Sequence, residues 1–327
     1  MTSGALATPQ AYMRAQARWR PVEIAFWLAT LLPFWLTPDY LVLASQIAIM
    51  ALFALSLDLI LGYAGIVSLG HAAFFGLGAY TAGLIAKHGW GEPVTGLIAA
   101  ACVAGIVGYA ASLIVSRFRH LALIMITLGM GLLLAEAANS ASWLTGGADG
   151  LQGVVMAPLL GRFDFDLGGQ TAYAYSLTTL FVLFFIARRV VHSPFGLSLM
   201  AIRRNRLRAA ALGTPVNARL VAVYTLGAAY AGAAGALLAQ TTQFVSLDMF
   251  DFHRSAYVLL VLIIGGAGWL YGGIAGAIVY EALQDVLATL TPQHWQFWIG
   301  LFLVVFVLVG RERMSGGLRA VLARVGR

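Results

Sequence analysis

The sequence is poor in charge. Of 327 residues only 10% are Asp, Glu, Lys or Arg, against 61% hydrophobic, and the mean hydropathy is +0.86. A soluble domain carries about 25% charge, so composition excludes a water-solvated globule. A single cysteine, Cys102, excludes a disulfide scaffold; its place inside an apolar run reads as a packed thiol. The single lysine, Lys87, lies between Ala86 and His88. The pattern Gly-x-x-x-x-Gly-Lys-Ser/Thr is therefore missing, and the chain has no phosphate-gripping lysine with which to hydrolyse nucleotide itself. His-Glu-x-x-His and Cys-x-x-Cys are absent, and none of the six histidines stands at metal-ligand spacing from another. Gly76-Leu77-Gly78 lies inside an apolar run, not after a strand, so it does not read as a dinucleotide loop. No catalytic constellation is left, and no enzyme, cofactor or metal is expected.

What is there is a series of long apolar runs, at about 22–37, 40–61, 68–86, 94–116, 121–140, 172–190, 219–240, 255–268, 272–290 and 295–310. Turn signals separate them: Thr37-Pro38-Asp39, Gly89-Trp90-Gly91-Glu92-Pro93 and Gly146-Gly147-Ala148-Asp149-Gly150. Runs of this length predict membrane helices, because a backbone in lipid must satisfy its own hydrogen bonds. The expected fold is an all-α polytopic membrane helical bundle of about ten transmembrane segments with Gly-interrupted helices. Residues 255–290 admit two readings, one long helix or two shorter ones broken at Gly265-Gly266-Ala267-Gly268. The 255–268 run is short for a ~30 Å core, and a partly re-entrant element would fit it.

The net charge of +7 is carried by nineteen arginines and the one lysine. They cluster between apolar runs, as orientation signals do, and do not form a nucleic-acid footprint. With residues 1–20 placed in the cytoplasm, ten crossings put 17 of the 20 basic residues inside. Lys87, Arg162 and Arg254 are left outside, with Asp39, Glu92, Asp149, Asp164, Asp166, Asp248 and Asp251. Nine crossings would strand the C-terminal arginines of 311–327 outside. The Arg-bearing start, Met1 to Arg20, has no small-residue cleavage site before the first apolar run and reads as an uncleaved membrane start. One permease domain is expected over 1–327, with a periplasmic loop at 141–171, a cytoplasmic loop at 191–218 and a cytoplasmic tail at 311–327.

Ionisable residues at membrane depth are few: Asp58, Glu136, Glu281 and Asp285. Asp58, Glu281 and Asp285 lie near span ends and read as caps or snorkelling groups. Glu136, with Asn139 one turn later, is the better candidate for a polar interior. Two Gly-rich interruptions look alike. At an offset of 203 residues, Gly62, Ala64, Gly65 and Gly70 align with Gly265, Ala267, Gly268 and Gly273. Paired interruptions can mark the two halves of a transporter, although glycine also serves close helix packing, as in Tyr230–Ala236. The 192–218 loop holds a short amphipathic segment, Leu197 to Leu212. Leu199, Ile202 and Leu207 form one side, arginines the other, and Gly213-Thr214-Pro215 stops it. It reads either as a basic helix lying on anionic lipid or as a helix that docks a cytoplasmic partner.

With these residues assembled, the chain resembles the membrane subunits of bacterial ABC importers for branched-chain amino acids and their relatives, including urea permeases. Gly62-Tyr63-Ala64-Gly65, Ser68-Leu69-Gly70-His71-Ala72-Ala73-Phe74 and Gly78-Ala79-Tyr80 carry the likeness. So do Leu144–Leu151, Ala201-Ile202-Arg203, Ala211-Leu212-Gly213 and Gly265–Gly268. It departs at Ile66, where such proteins usually have Gln, and at Arg204, Arg206 and Ala210, where they usually carry acids. The resemblance implies a type II-like importer permease in a bacterial inner membrane. Its implied partners are two ATP-binding subunits, a second permease subunit in a heterodimer, a periplasmic solute-binding protein and membrane lipid. It implies that Gly196, Ala201, Ile202, Arg203, Arg204, Arg206, Ala211, Leu212 and Gly213 form an ATPase-docking coupling segment. Gly62, Gly65, Ser68, His71, Glu136, Asn139, Gly265 and Gly268 are the expected pathway residues. A hydrophobic amino acid is the expected solute and urea or a short amide the alternative; a proton- or sodium-coupled carrier stands further off.

Overall fold

The computed structural model describes residues 21–118, 120–166 and 168–309. Calls on the 1–20 and 311–327 segments lie outside the described residues. The described chain is helical, with two isolated β-bridges and no named strand. In order, the helices are α1 (Pro21–Ala29), α2 (Pro33–Leu36), α3 (Leu41–Leu57), α4 (Ala72–Lys87), α5 (Pro93–Val115), α6 (His120–Ser140) and α7 (Ser142–Thr145). Then come α8 (Gln170–Val191), α9 (Pro194–Arg204), α10 (Arg206–Ala211), α11 (Val216–Thr242), α12 (Phe252–Gly265), α13 (Leu270–Leu290) and α14 (Trp295–Val309). Among the described residues, six helices are long and apolar enough to cross a membrane, and four shorter apolar ones accompany them. The molecule is therefore a membrane protein of all-α class.

Helix starts follow local chemistry. Pro93 opens α5, and the Glu92 carboxylate accepts the Thr95 N–H at 2.7 Å. Ser193 caps α9 ahead of Pro194, and the Asp251 carboxylate accepts the His253 N–H at the start of α12. Small residues let helices approach to backbone contact. A Cβ on Gly78 of α4 would sit 2.0 Å from the Gly232 carbonyl oxygen of α11, so neither helix could keep its place with alanine there. Cys102, expected to be packed, is exposed on α5; that helix is apolar on all sides, so its sequence does not say which face is covered.

The chain divides into two compact units, Met1–Ala277 and Ile278–Arg327. In the second, α13 ends at a turn in which the His294 N–H bonds the Thr291 carbonyl, and α14 follows.

In the first unit the connections alternate between two ends. At one end the Ala157 N–H bonds the Gly91 carbonyl, and Leu151 pairs with Val245 at 2.8 Å. At the other, Arg188 at the end of α8 pairs with Glu23 of α1 at 2.8 Å, and Arg203 of α9 reaches the end of α3. Two segments cross part of the bundle without α-helix, the second holding a 3-10 turn at Leu247–Phe250. Residues 64–71 turn back from the arginine-bearing end to bring His71 beside Phe53 and Ser56 of α3. Val245 packs at Gly83 and Phe250 at Gly76, so 245–250 runs along α4 for about two turns before α12 begins. With 14 residues α12 is only about 21 Å long. The 255–268 run is thus a short helix, Phe252–Gly265, preceded by a segment packed along α4.

Candidate functional site

Non-helical backbone inside an apolar bundle is tolerated only where protein groups satisfy it. Here they do. The Leu69 N–H meets Thr127 Oγ1 at 3.3 Å and the Ala72 N–H meets Ser255 Oγ at 2.8 Å. Ser56 Oγ and His71 Nε2 lie 2.8 Å apart, and the His71 ring stacks on Phe53 with centroids 5.5 Å apart. Ser68 is buried beside Tyr224. Ser68 and His71 thus belong to one buried polar seam through an otherwise apolar core.

The second cluster sits where both Gly-rich interruptions meet. α3 ends in a widened π turn over Asp58–Tyr63, a distortion often found at functional sites. Gly65 follows with φ +73°. On the other side α12 ends at Gly265, and Gly266 and Gly268 take φ +96° and +86° before α13 begins. Only glycine enters this left-handed region without strain. Residues 255–290 are therefore two helices, broken where the glycines predicted. The aligned pair Gly65 and Gly268 share the same backbone hand, three residues after Gly62 and Gly265, the other aligned pair.

The two interruptions touch. Asp58, 0% exposed, accepts the Gly268 N–H at 2.6 Å through Oδ1. A Cβ on Gly62 would lie 1.9 Å from that oxygen and 2.5 Å from the Gly268 nitrogen. Into this junction comes Arg203 from α9: its Nη1 donates to the Gly62 carbonyl. Its stem covers Gly65, where a Cβ would come 3.1 Å from Arg203 Cγ, and one on Gly268 would come 2.8 Å from Nη1. Gly62, Gly65, Gly268 and Arg203 are thus brought together, with Asp58 at their centre. Asp58 was read from sequence as a cap or snorkelling group; what it bonds to lies 210 residues away, and no local pattern announces that.

The segment read as one helix over Leu197–Leu212 is two. Asn205 breaks it in an extended conformation, and its side chain accepts the Arg208 N–H at 3.0 Å to start α10. Leu199 and Ile202 are buried as expected, and Gly196 packs against the Val191 carbonyl. Past the break the register changes: Leu207 is 73% exposed and Leu212 79%, beside exposed Ala201, Arg204 and Ala211. Gly213 then turns the chain with φ +83°. The start of α11 is held to α9 by Arg219, whose guanidinium lies 5.2 Å from the Phe195 ring centroid. Glu136 and Asn139 join neither cluster. Both are exposed on α6, where Glu136 accepts a hydrogen bond from Ser140.

The family described as branched-chain amino acid transport system / permease component matches residues 40–310, which takes in every element of both clusters. The chain belongs to that family. Among relatives of this branched-chain permease family member is the high-affinity branched-chain amino acid transport system permease protein LivM of Escherichia coli K12. It is 26% identical in an alignment of 307 residues that covers 86% of this chain and 71% of LivM. LivM of Salmonella typhimurium LT2 is also 26% identical, with the same coverage. The permease protein LivH of E. coli K12 is more distant, 20% identical over 280 residues, covering 79% of this chain and 88% of LivH. No solved structure matches the permease significantly.

Proposed function

We propose that this family member is the membrane subunit of an ATP-driven importer that carries branched-chain amino acids across a bacterial inner membrane. The whole chain, 1–327, acts as one permease of ten crossings with both ends in the cytoplasm. Two ATP-binding subunits dock on the 191–218 loop, a periplasmic binding protein delivers solute at the 141–171 side, and a second permease completes a heterodimer. The observation that carries the reading is the junction of α9 with both Gly-rich interruptions. A short helix with an exposed basic and apolar edge is joined by one side chain to two breaks in the bundle. That is what a mechanical input from a partner requires, and the chain has no nucleotide-binding lysine of its own. Likeness to LivM supports the solute class, and the closer likeness to LivM than to LivH supports a second, unlike permease as partner. ATP binding would favour one arrangement of the bundle and the loaded binding protein the other.

The test is uptake by the complex reconstituted in proteoliposomes with its binding protein. Radiolabelled leucine should accumulate when ATP is enclosed on the ATPase side and should not without ATP. Accumulation driven by a proton or sodium gradient alone, or of urea in place of leucine, would contradict the reading.

A further inference from the structure

Arg203 stands among the residues expected to dock a partner and is exposed, yet its guanidinium reaches back to the Gly62 carbonyl. Its Nη1 donates to the Gly62 carbonyl, its stem covers Gly65, and the absent side chain of Gly268 leaves room for its tip. Four residues before Gly62, on the same π turn, the Asp58 carboxylate holds the Gly268 N–H at 2.6 Å and feels the Arg203 charge. The second carboxylate oxygen has no hydrogen-bond partner among the described residues. A fully buried carboxylate is tolerated only with a compensating charge or donors, and the pair here is one N–H and one guanidinium. Two side chains thus join three separate pieces of chain: the end of α3, the end of α9 and the turn between α12 and α13. The rest of α9 is held tightly, through buried Leu199 and Ile202 and through Gly196 against the Val191 carbonyl. The Arg203–Gly62 bond links α9 directly to the first Gly-rich interruption.

We propose that Arg203 and Asp58 form a tether that makes α9 and the two Gly-rich interruptions move as one body. Arg203 is a positioning residue that passes displacement of α9 to 58–63 and 266–269, and is not itself a docking charge. This rests on the ATP-driven reading above. Arginine suits the task because its rigid fork reaches a carbonyl while its charge compensates the carboxylate; a lysine would offer one point of attachment.

The test uses the full complex in proteoliposomes, with leucine uptake and ATP hydrolysis measured together. Arg203→Gln should lower leucine carried per ATP at least fivefold, and Asp58→Asn, which keeps an acceptor for the Gly268 N–H, should lower it less. A spin-label pair at Leu197→Cys, on the exposed side of α9, and Trp269→Cys, in a Cys102→Ala background, reads the coupling directly. In the parent the pair distance should be the same in nucleotide-free and ATP-trapped complexes, and in Arg203→Gln it should change on trapping. A merely structural role would lower the yield of complex while leaving the ratio and the distances as in the parent, and that result overturns the tether. So does a parental pair that separates on trapping. Should Arg203→Gln not assemble, Asp58→Asn decides alone, a parental ratio counting against the proposal. A parent complex that hydrolyses ATP without accumulating leucine would overturn the importer reading and the tether with it.

Discussion

At the residue scale the decisive positions are those where a missing side chain lets two pieces of backbone meet. Gly62 is one. A methyl group there would overlap Asp58 Oδ1 and the Gly268 nitrogen, which are bonded to each other in the same junction, so the junction must open or the π turn must shift. Overpacking of this kind costs about 1–3 kcal/mol. Gly129 on α6 is the control, since nothing in the chain lies within 4 Å of where its Cβ would be. We expect Gly62→Ala to lower the thermal midpoint of the purified protein by several degrees. Gly129→Ala should leave it unchanged or raise it slightly, as helix propensity favours alanine by about 1 kcal/mol. Equal midpoints for the two variants would refute the close approach. Asp58 shows why such a site is hard to read in advance. Its neighbours in sequence are apolar and suggest a span end, while its hydrogen-bond partner follows only after nine further helices have been placed.

At the element scale, the apolar runs gave helix positions to within a few residues, because lipid demands length and a nearly continuous apolar surface. The runs could not tell where within them the α-helix begins. Residues 68–71 fall at the start of the 68–86 run yet are not helical, and the buried partners Thr127 and Ser255 make that path tolerable. The 245–250 segment lies between runs and packs Val245 and Phe250 on the glycines of α4. Faces were illegible for a related reason: α5 and α6 are apolar all round, so neither exposed Cys102 nor exposed Glu136 could be assigned a direction. The coupling segment was legible in its first half, where Leu199 and Ile202 share a face, and misread in its second, where Asn205 interrupts the period and frees Leu207. That break sets the surface a partner would meet. Arg203, Arg204 and Arg208 are its exposed basic residues, and of these Arg203 already commits its guanidinium to the Gly62 carbonyl. Arg204→Glu with Arg208→Glu should reduce co-purification of the ATP-binding subunits at least tenfold while the permease still reaches the membrane. Undiminished recovery would argue against docking through this edge.

At the scale of the whole molecule, the arginine count and the arrangement of contacts agree on which segments share an end. Arg188, Arg203 and the two Gly-rich interruptions lie at one end of the first unit; Gly91, Leu151 and Val245 lie at the other. The positive-inside rule assigns the first end to the cytoplasm, and the central claim, that α9 receives work from cytoplasmic ATPases, depends on it. Trp269, 52% exposed in the second interruption, and Asp149, exposed in the 141–171 loop, mark the two ends. The direct measurement is labelling of single cysteines at 269 and 149, in a Cys102→Ala background, by a membrane-impermeant maleimide on intact cells. The cysteine at 149 should label in intact cells and the one at 269 only after the inner membrane is permeabilised. Labelling of 269 from outside would contradict the account.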